Sequence, residues 1–332
     1  MITESVTRPA QAEQCCLHIG LPKTATKMLQ IQLFARHSQV EFLGTYIGSH
    51  RRYRQCRDAE VEEIINELVW DNRLRPNLTR CRELYRKSIA PAFEAGRLPV
   101  WSWEALMEDA HEVQRRRAAN LKEVFGDCKL VVGLRHPLRL VESLYLQLIK
   151  RDNVGSRASF RAGVRYLSID GWIKKHWEKP GHAPTAHLEY AEAVEVFASV
   201  FGRESVGIFL FEQLREDQAG FVGAICRFLG IDAQEGVIHT QGQRENDRWT
   251  QPELDRLREI HGSLVRSTIF RFANRRTRRR MLGLTPGASE GPPARAEISQ
   301  AWQERILDKT REGNRRLMER WNLPLDRYDY PL

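Results

Sequence analysis

No run of eighteen apolar residues occurs in this chain of 332 residues, so no segment is expected to cross a bilayer as a helix. The opening segment Met1–Gln14 is polar, carries Glu4 and Glu13, and lacks the apolar stretch that a cleaved leader requires. Cysteine is sparse: Cys15, Cys16, Cys56, Cys81, Cys128 and Cys226 form no C-x-x-C pair, and the histidines do not cluster. That pattern gives no reason to expect a zinc or other metal site. Several of these cysteines lie in apolar runs, where a buried reduced thiol is the ordinary reading. The expected compartment is therefore the cytoplasm. Internal repeats and low-complexity segments are missing as well.

What is present describes a globular protein. Hydrophobic residues make up 42% and charged residues 29% of the chain, which excludes a disordered polymer. The length allows one sizeable core with an extension beyond it. A formal net charge of +9 suits an anionic ligand, a polyanionic partner or an anionic membrane surface.

Short apolar runs alternate with helical periods. Strand-like runs are Cys15–Ile19, Glu41–Tyr46, Leu98–Ser102, Lys129–Leu134 and Ser205–Leu210. Val141, Leu144, Tyr145, Leu148 and Ile149 mark one helix face, and Phe221, Val222, Ile225, Phe228 and Leu229 mark another that Gly230 terminates. Strands alternating with helices predict an α/β fold with a mainly parallel five-stranded sheet flanked by helices. The expected organisation is a flexible N-terminus (1–14), an α/β core (15–240) and a helical C-terminal extension packed on it (241–332). Within the extension, a loop through Thr285-Pro286-Gly287 precedes a long charged helix ending near Trp321. Ligands of such sheets bind beyond the carboxyl ends of the strands.

The first strand runs into Gly20-Leu21-Pro22-Lys23-Thr24-Ala25-Thr26-Lys27, with a helix starting near Thr26. A strand–loop–helix junction aims backbone N–H groups at one point, and Lys23, Thr24 and Thr26 add donors for a phosphate or sulfate. An ordinary β–α turn with a solvated lysine would read the same. The loop is not G-x-x-x-x-G-K-[ST], because Ala25 and the residue after Lys27 both break that pattern. The fourth strand ends at Arg135-His136-Pro137, and Arg139 and Ser143 lie four apart on the helix that Pro137 opens. Arg135 can offer a planar fork of donors to a second anion.

Together the two sites resemble the 3′-phosphoadenosine 5′-phosphosulfate-dependent sulfotransferases, in which a P-K-[ST]-x-[ST] loop takes the 5′-phosphosulfate. In that family an arginine closing a strand, followed eight residues later by a helical serine, takes the 3′-phosphate. Pro22-Lys23-Thr24-Ala25-Thr26 and Arg135…Ser143 match in the same order, and Val206–Glu212 and Phe228-Leu229-Gly230 are similar to later family text. The resemblance covers about residues 14–232, is nearest to the bacterial and carbohydrate-directed branches, and implies a P-loop-like three-layer fold. It assigns donor binding to Pro22, Lys23, Thr24, Ala25, Thr26, Lys27, Arg135, Arg139 and Ser143. Lys27 stands where the family commonly has Ser or Thr; the Arg-Lys-Gly string that the animal cytosolic branch carries near its C-terminus does not occur here, and Arg244 and Arg248 are the expected substitutes.

The implied reaction is in-line sulfuryl transfer to an acceptor hydroxyl, with Lys23 meeting charge on the leaving oxygen and no metal expected. Glu104, just past the third strand, is the candidate base, with Ser102 as its neighbour alternative; a helix-capping carboxylate would occupy the same place. His18 and His136 are weaker candidates. Trp101 and Trp103 flank Glu104 and suit either sugar stacking or core packing. Arg151–Pro180 falls where an acceptor-gating insertion would sit. The acceptor implied is a saccharide or glycolipid. The cluster Arg271, Arg275, Arg276, Arg278, Arg279 and Arg280 fits a solvated helix face, a polyanion, or peripheral contact with the inner membrane surface. No nucleic-acid fold accompanies it. Two other readings compete: a P-loop-type small-molecule kinase, which needs a strand-end aspartate and Mg²⁺, and a non-catalytic polyanion-binding protein.

Overall fold

Cys128–Leu134 shows why the strands form where they do. Cys128, Leu130, Val131, Val132 and Leu134 are all buried, so both faces of this strand are covered, as in a parallel sheet packed between helices. The computed structural model describes residues 14–45, 55–69, 75–154, 166–177, 179, 184–242, 249–284 and 291–332. Residues 1–13, Arg244, Arg248 and the Thr285–Gly287 turn lie outside the described residues, as does part of Arg151–Pro180.

The strands are β1 (Cys15–His18), β2 (Val40–Thr45), β3 (Gln55–Cys56), β4 (Leu98–Ser102), β5 (Cys128–Leu134) and β6 (Val206–Leu210), in sheet order β3-β2-β4-β1-β5-β6. Five are parallel, in keeping with the sequence expectation, and each lies within about one residue of its expected run. The two-residue β3 adds an antiparallel edge against Gly44 and Thr45; so short a segment carries no readable period. The register sets His18 beside Ser102 on one side and Val131 on the other. The ends of β4, β1 and β5 therefore lie next to one another.

The chain divides into two compact units. The first comprises Met1–Arg135, Glu189–Gln243 and Arg316–Leu323 and contains the whole sheet. Its helix Gln218–Leu229 starts where the Asp217 carboxylate accepts from Gly220 N at 2.9 Å. It stops at Gly230, whose φ of 78° lets Ile231 N reach Cys226 O at 3.0 Å. Phe221, Val222, Ile225 and Leu229 meet Cys16, Leu33, Phe34, Val100 and Val131 in one core, each worth about 1.5–3 kcal/mol of burial. The helices His111–Phe125 and Tyr190–Phe201 pack together in the same unit. Arg316 ties to Tyr190–Phe201 through Glu192 (2.8 Å) and Glu195 (3.1 Å).

The second unit comprises His136–Leu188, Arg244–Arg315 and Pro324–Leu332. Its described regular elements are helices, among them Pro137–Val154, Ile169–His176, Gln251–Gly262, Leu264–Phe272 and Arg275–Met281. Gln251–Gly262 opens with a reciprocal cap between Thr250 and Glu253. The long helix Gln300–Trp321 ends at the residue the sequence indicates.

Candidate active site

Between β1 and the helical turn Thr26–Met28, which continues as the wider turns Leu29–Phe34, the chain is pinned closely to the end of β5. Ile19 N donates to Val131 O at 3.0 Å and Leu21 N to Gly133 O at 3.1 Å, extending the ladder past the strand. A methyl on Gly20 would lie 3.0 Å from Gly133 Cα, and one on Gly133 would lie 2.5 Å from Thr24 Oγ1. Only hydrogen fits at either position.

Beyond that seam the backbone turns left-handed at Lys23 (φ 68°) and Ala25 (φ 71°). Neither is glycine, and the conformation costs about 1–2 kcal/mol at each. Such alternation turns successive N–H groups toward a shared concavity, the backbone geometry of an anion nest. The Thr24 hydroxyl donates to Leu21 O at 2.5 Å and is 1% exposed. Its proton thus braces the loop rather than pointing outward, and the sequence reading of that hydroxyl as a ligand donor overlooked this internal bond. Pro22 and Thr26 are buried, Lys23 is half-buried and Lys27 is exposed.

Arg135, the residue after β5, turns onto the loop. Its Nη1 donates to Lys23 O at 3.1 Å, and its guanidinium lies 4.5 Å from the centre of the Phe211 ring at the end of β6. Stacking on an aromatic face orients the planar fork. Phe211 was not singled out from sequence; its position directly after a strand is the signal that points to it.

On the other side of β1, Glu104 follows β4 and opens the short turn Glu104–Met107. It is half-buried, with Oε2 shut away from solvent. Trp101 and Trp103 are 1% and 8% exposed, with ring centres 6.2 Å apart, so both are core residues and not a stacking platform.

At the same edge lies a buried relay that the sequence reading passed over. Gln30 Nε2 donates to Ser102 Oγ at 2.9 Å, and Ser102 lies 2.7 Å from His18 Nδ1. Ser102 Oγ thus has Gln30 on one side and the His18 imidazole on the other, joining the ends of β4 and β1 to the helical turn that follows the loop. Nε2 is buried without a hydrogen-bond partner among the described residues. Burial pushes the His18 pKa down to about 4, so the ring is neutral at physiological pH. His18 is hard to read from sequence because a histidine ending a strand looks like an interior one until the register sets it beside Ser102.

In the second unit, Arg139 pairs with Glu142 at 3.5 Å and is largely exposed, and Ser143 is half-buried on the same helix. His136 Nε2 lies 3.0 Å from Asp329 O, with its ring against Tyr330. No cluster of three or more metal-ligating side chains occurs among the described residues.

The sulfotransferase family model matches residues 17–235, the stretch that contains the sheet and the loop. No curated protein matches the chain. Among solved structures it is similar to a sulfotransferase from Alicyclobacillus acidocaldarius, at 18% identity and a TM-score of 0.42, covering 81% of this chain and 100% of that one. It is also similar to the sulfotransferase domain of the curacin biosynthetic pathway, at 13% identity and a TM-score of 0.40, over 70% of this chain and 80% of that one. A third is the sulfotransferase domain of the Synechococcus PCC 7002 olefin synthase, at 13% identity and a TM-score of 0.40, over 85% and 93%. With the parallel sheet, the pinned loop and a family match over about two thirds of its length, the chain belongs to the sulfotransferase family of enzymes.

Proposed function

We propose that the enzyme transfers the sulfuryl group of 3′-phosphoadenosine 5′-phosphosulfate to an acceptor hydroxyl, with the loop Pro22–Lys27 holding the 5′-phosphosulfate. The observation that carries this reading is Arg135 reaching from the end of β5 onto the carbonyl of Lys23. One cationic fork and one lysine then serve a loop whose left-handed residues turn its N–H groups together. Arg135 is assigned to the 3′-phosphate. Arg139 and Ser143 join that assignment through their spacing along the chain and the family resemblance.

In the reaction the acceptor oxygen bonds to sulfur while the bond from sulfur to the bridging phosphate oxygen breaks. Lys23 meets the negative charge that grows on that leaving oxygen. Glu104 takes the acceptor proton, aided by its position one strand over from the loop. The His18–Ser102–Gln30 relay supports this reading by tying the end of β1, which leads into the loop, to the end of β4, which leads to Glu104.

The acceptor we infer is the hydroxyl of a saccharide or glycolipid, on the strength of likeness to the carbohydrate-directed branches. The compartment we infer is the cytoplasm, which suits the buried thiols of Cys15, Cys16, Cys81, Cys128 and Cys226.

Calorimetric titration with adenosine 3′,5′-bisphosphate and with ADP, each with and without Mg²⁺, tests the donor assignment. Tighter binding of the bisphosphate, unchanged by Mg²⁺, is expected. Preference for Mg–ADP would overturn it in favour of a kinase.

A further inference from the structure

Six large hydrophobic side chains are exposed among the described residues, and four of them, Leu264, Val265, Ile269 and Phe272, stand on one nine-residue helix. Scattered apolar residues need no explanation, but a cluster of this kind does. Their exposures run from 56% for Ile269 to 89% for Leu264. At 100° per residue the four, with Thr268 between them, fill a continuous arc of about 140°. Phe270 falls on the opposite side and is 2% exposed, its ring 5.7 Å from that of His261. The helix therefore has a buried inner face and an apolar outer face, and rotating the outer face inward would extract Phe270.

Along the chain, the charge that borders this arc and follows it has one sign. Arg266 and Arg271 border it, and the next helix, Arg275–Met281, adds exposed Arg275, Arg276 and Arg280. No aspartate or glutamate occurs between Glu259 and Glu290. The second helix is held by Arg278, which is 2% exposed and donates to Asn153 O at 3.3 Å. His261, beneath the first helix, lies 3.1 Å from Asn153 Oδ1. Asn153 thus meets Arg278 of the second helix directly and Phe270 of the first through His261, while the apolar arc and Arg275, Arg276 and Arg280 stay exposed.

We propose that Leu264–Phe272 and Arg275–Met281 form a docking surface for an anionic phospholipid bilayer. An apolar arc bordered by arginines and free of carboxylates matches such a surface in both of its layers. The arginines meet headgroup phosphates, and the arc enters the boundary with the acyl chains. A soluble polyanion would satisfy the arginines and leave the arc in water. The surface is independent of the transfer reaction, whose residues lie elsewhere in the chain.

The test is sedimentation of the full chain with phosphatidylcholine vesicles, with and without phosphatidylserine. Binding is expected only with phosphatidylserine and should weaken steeply as salt is raised. The variant L264S/V265S/I269S/F272S should bind at least about tenfold more weakly, and R275E/R276E/R280E about a hundredfold more weakly. All seven positions are exposed, and unchanged circular dichroism will verify that both variants fold. In F272W, tryptophan emission should shift to the blue on adding the anionic vesicles. Equal binding to both vesicle types would overturn the proposal, as would wild-type binding by the serine variant. So would a concentration-dependent dimer that the serine variant abolishes and vesicles fail to compete, because the face would then join two copies of the chain.

Discussion

Gly20 is where fold and chemistry meet most tightly, and Gly20→Ala tests that coupling. Gly20 does not adopt a left-handed conformation, so alanine suits its backbone and space alone decides the outcome. The added methyl would sit 3.0 Å from Gly133 Cα, 3.2 Å from Val132 C and closer still to Gly133 N, where ordinary contacts begin at 3.4 Å. All three neighbours are backbone atoms of the interior strand β5 and cannot rotate away. The loop must instead lift by about 1 Å, straining the bonds Leu21 N–Gly133 O and Arg135 Nη1–Lys23 O. Overpacking of this kind costs about 1–3 kcal/mol, and a 1 Å displacement of a positioning group costs about a hundredfold in rate. Urea denaturation measures the first effect and the transfer rate with an accepted hydroxyl substrate the second, while bisphosphate titration reports whether the loop still holds its anion. Gly262→Ala is the control, because nothing lies within 4 Å of a methyl there and the change should be neutral or stabilise the helix by up to about 1 kcal/mol. If Gly20→Ala matches that control in both stability and bisphosphate affinity, the close approach does not hold the loop.

Lys23→Ala should lower kcat by about 10²–10³-fold while the melting temperature stays near that of the wild type; full turnover in this variant would remove Lys23 from the transfer step. Glu104→Gln, assayed with an accepted hydroxyl substrate, should lose about 10²–10⁴-fold in rate, and unchanged turnover would move the base elsewhere. His18 ties stability to pH. Its folded pKa, lowered from 6.5 to about 4 by burial, means that the unfolded chain binds the extra proton first. The contribution is present above pH 6.5 and is lost as pH falls toward 4, a change of about 3 kcal/mol. Urea midpoints of wild type and His18→Gln from pH 7.5 to 4 should diverge by that amount, and parallel curves would refute it.

Much of the fold was legible because it rests on local patterns. The continuous apolar run at Leu130–Leu134 and the helix stripe closed by Gly230 need no knowledge of distant partners. The two-residue β3 was illegible for the converse reason, since its pairing with Gly44 and Thr45 exists only in the sheet. Trp101 and Trp103 read equally as a sugar platform or as core, and only burial separated the two. The outward arc of Leu264–Phe272 was hidden likewise, because a helix with apolar residues on most sides reads as buried until its neighbours are known.

By itself the sequence determined the strand–loop–helix junction at Pro22–Lys27, the arginine at the next strand end and, through their resemblance, the class of chemistry. These are matters of residue type and spacing along the chain. Tertiary structure decided how the parts act on one another: that the Thr24 hydroxyl braces the loop, that Arg135 stacks on Phe211 and holds Lys23 O, and that His18 joins Ser102 and Gln30 in a buried relay. The Thr24 bond closes within the loop itself; the others span residues brought together only by strand order and register, and hydrogen bonds and desolvation depend on distance in space rather than along the chain.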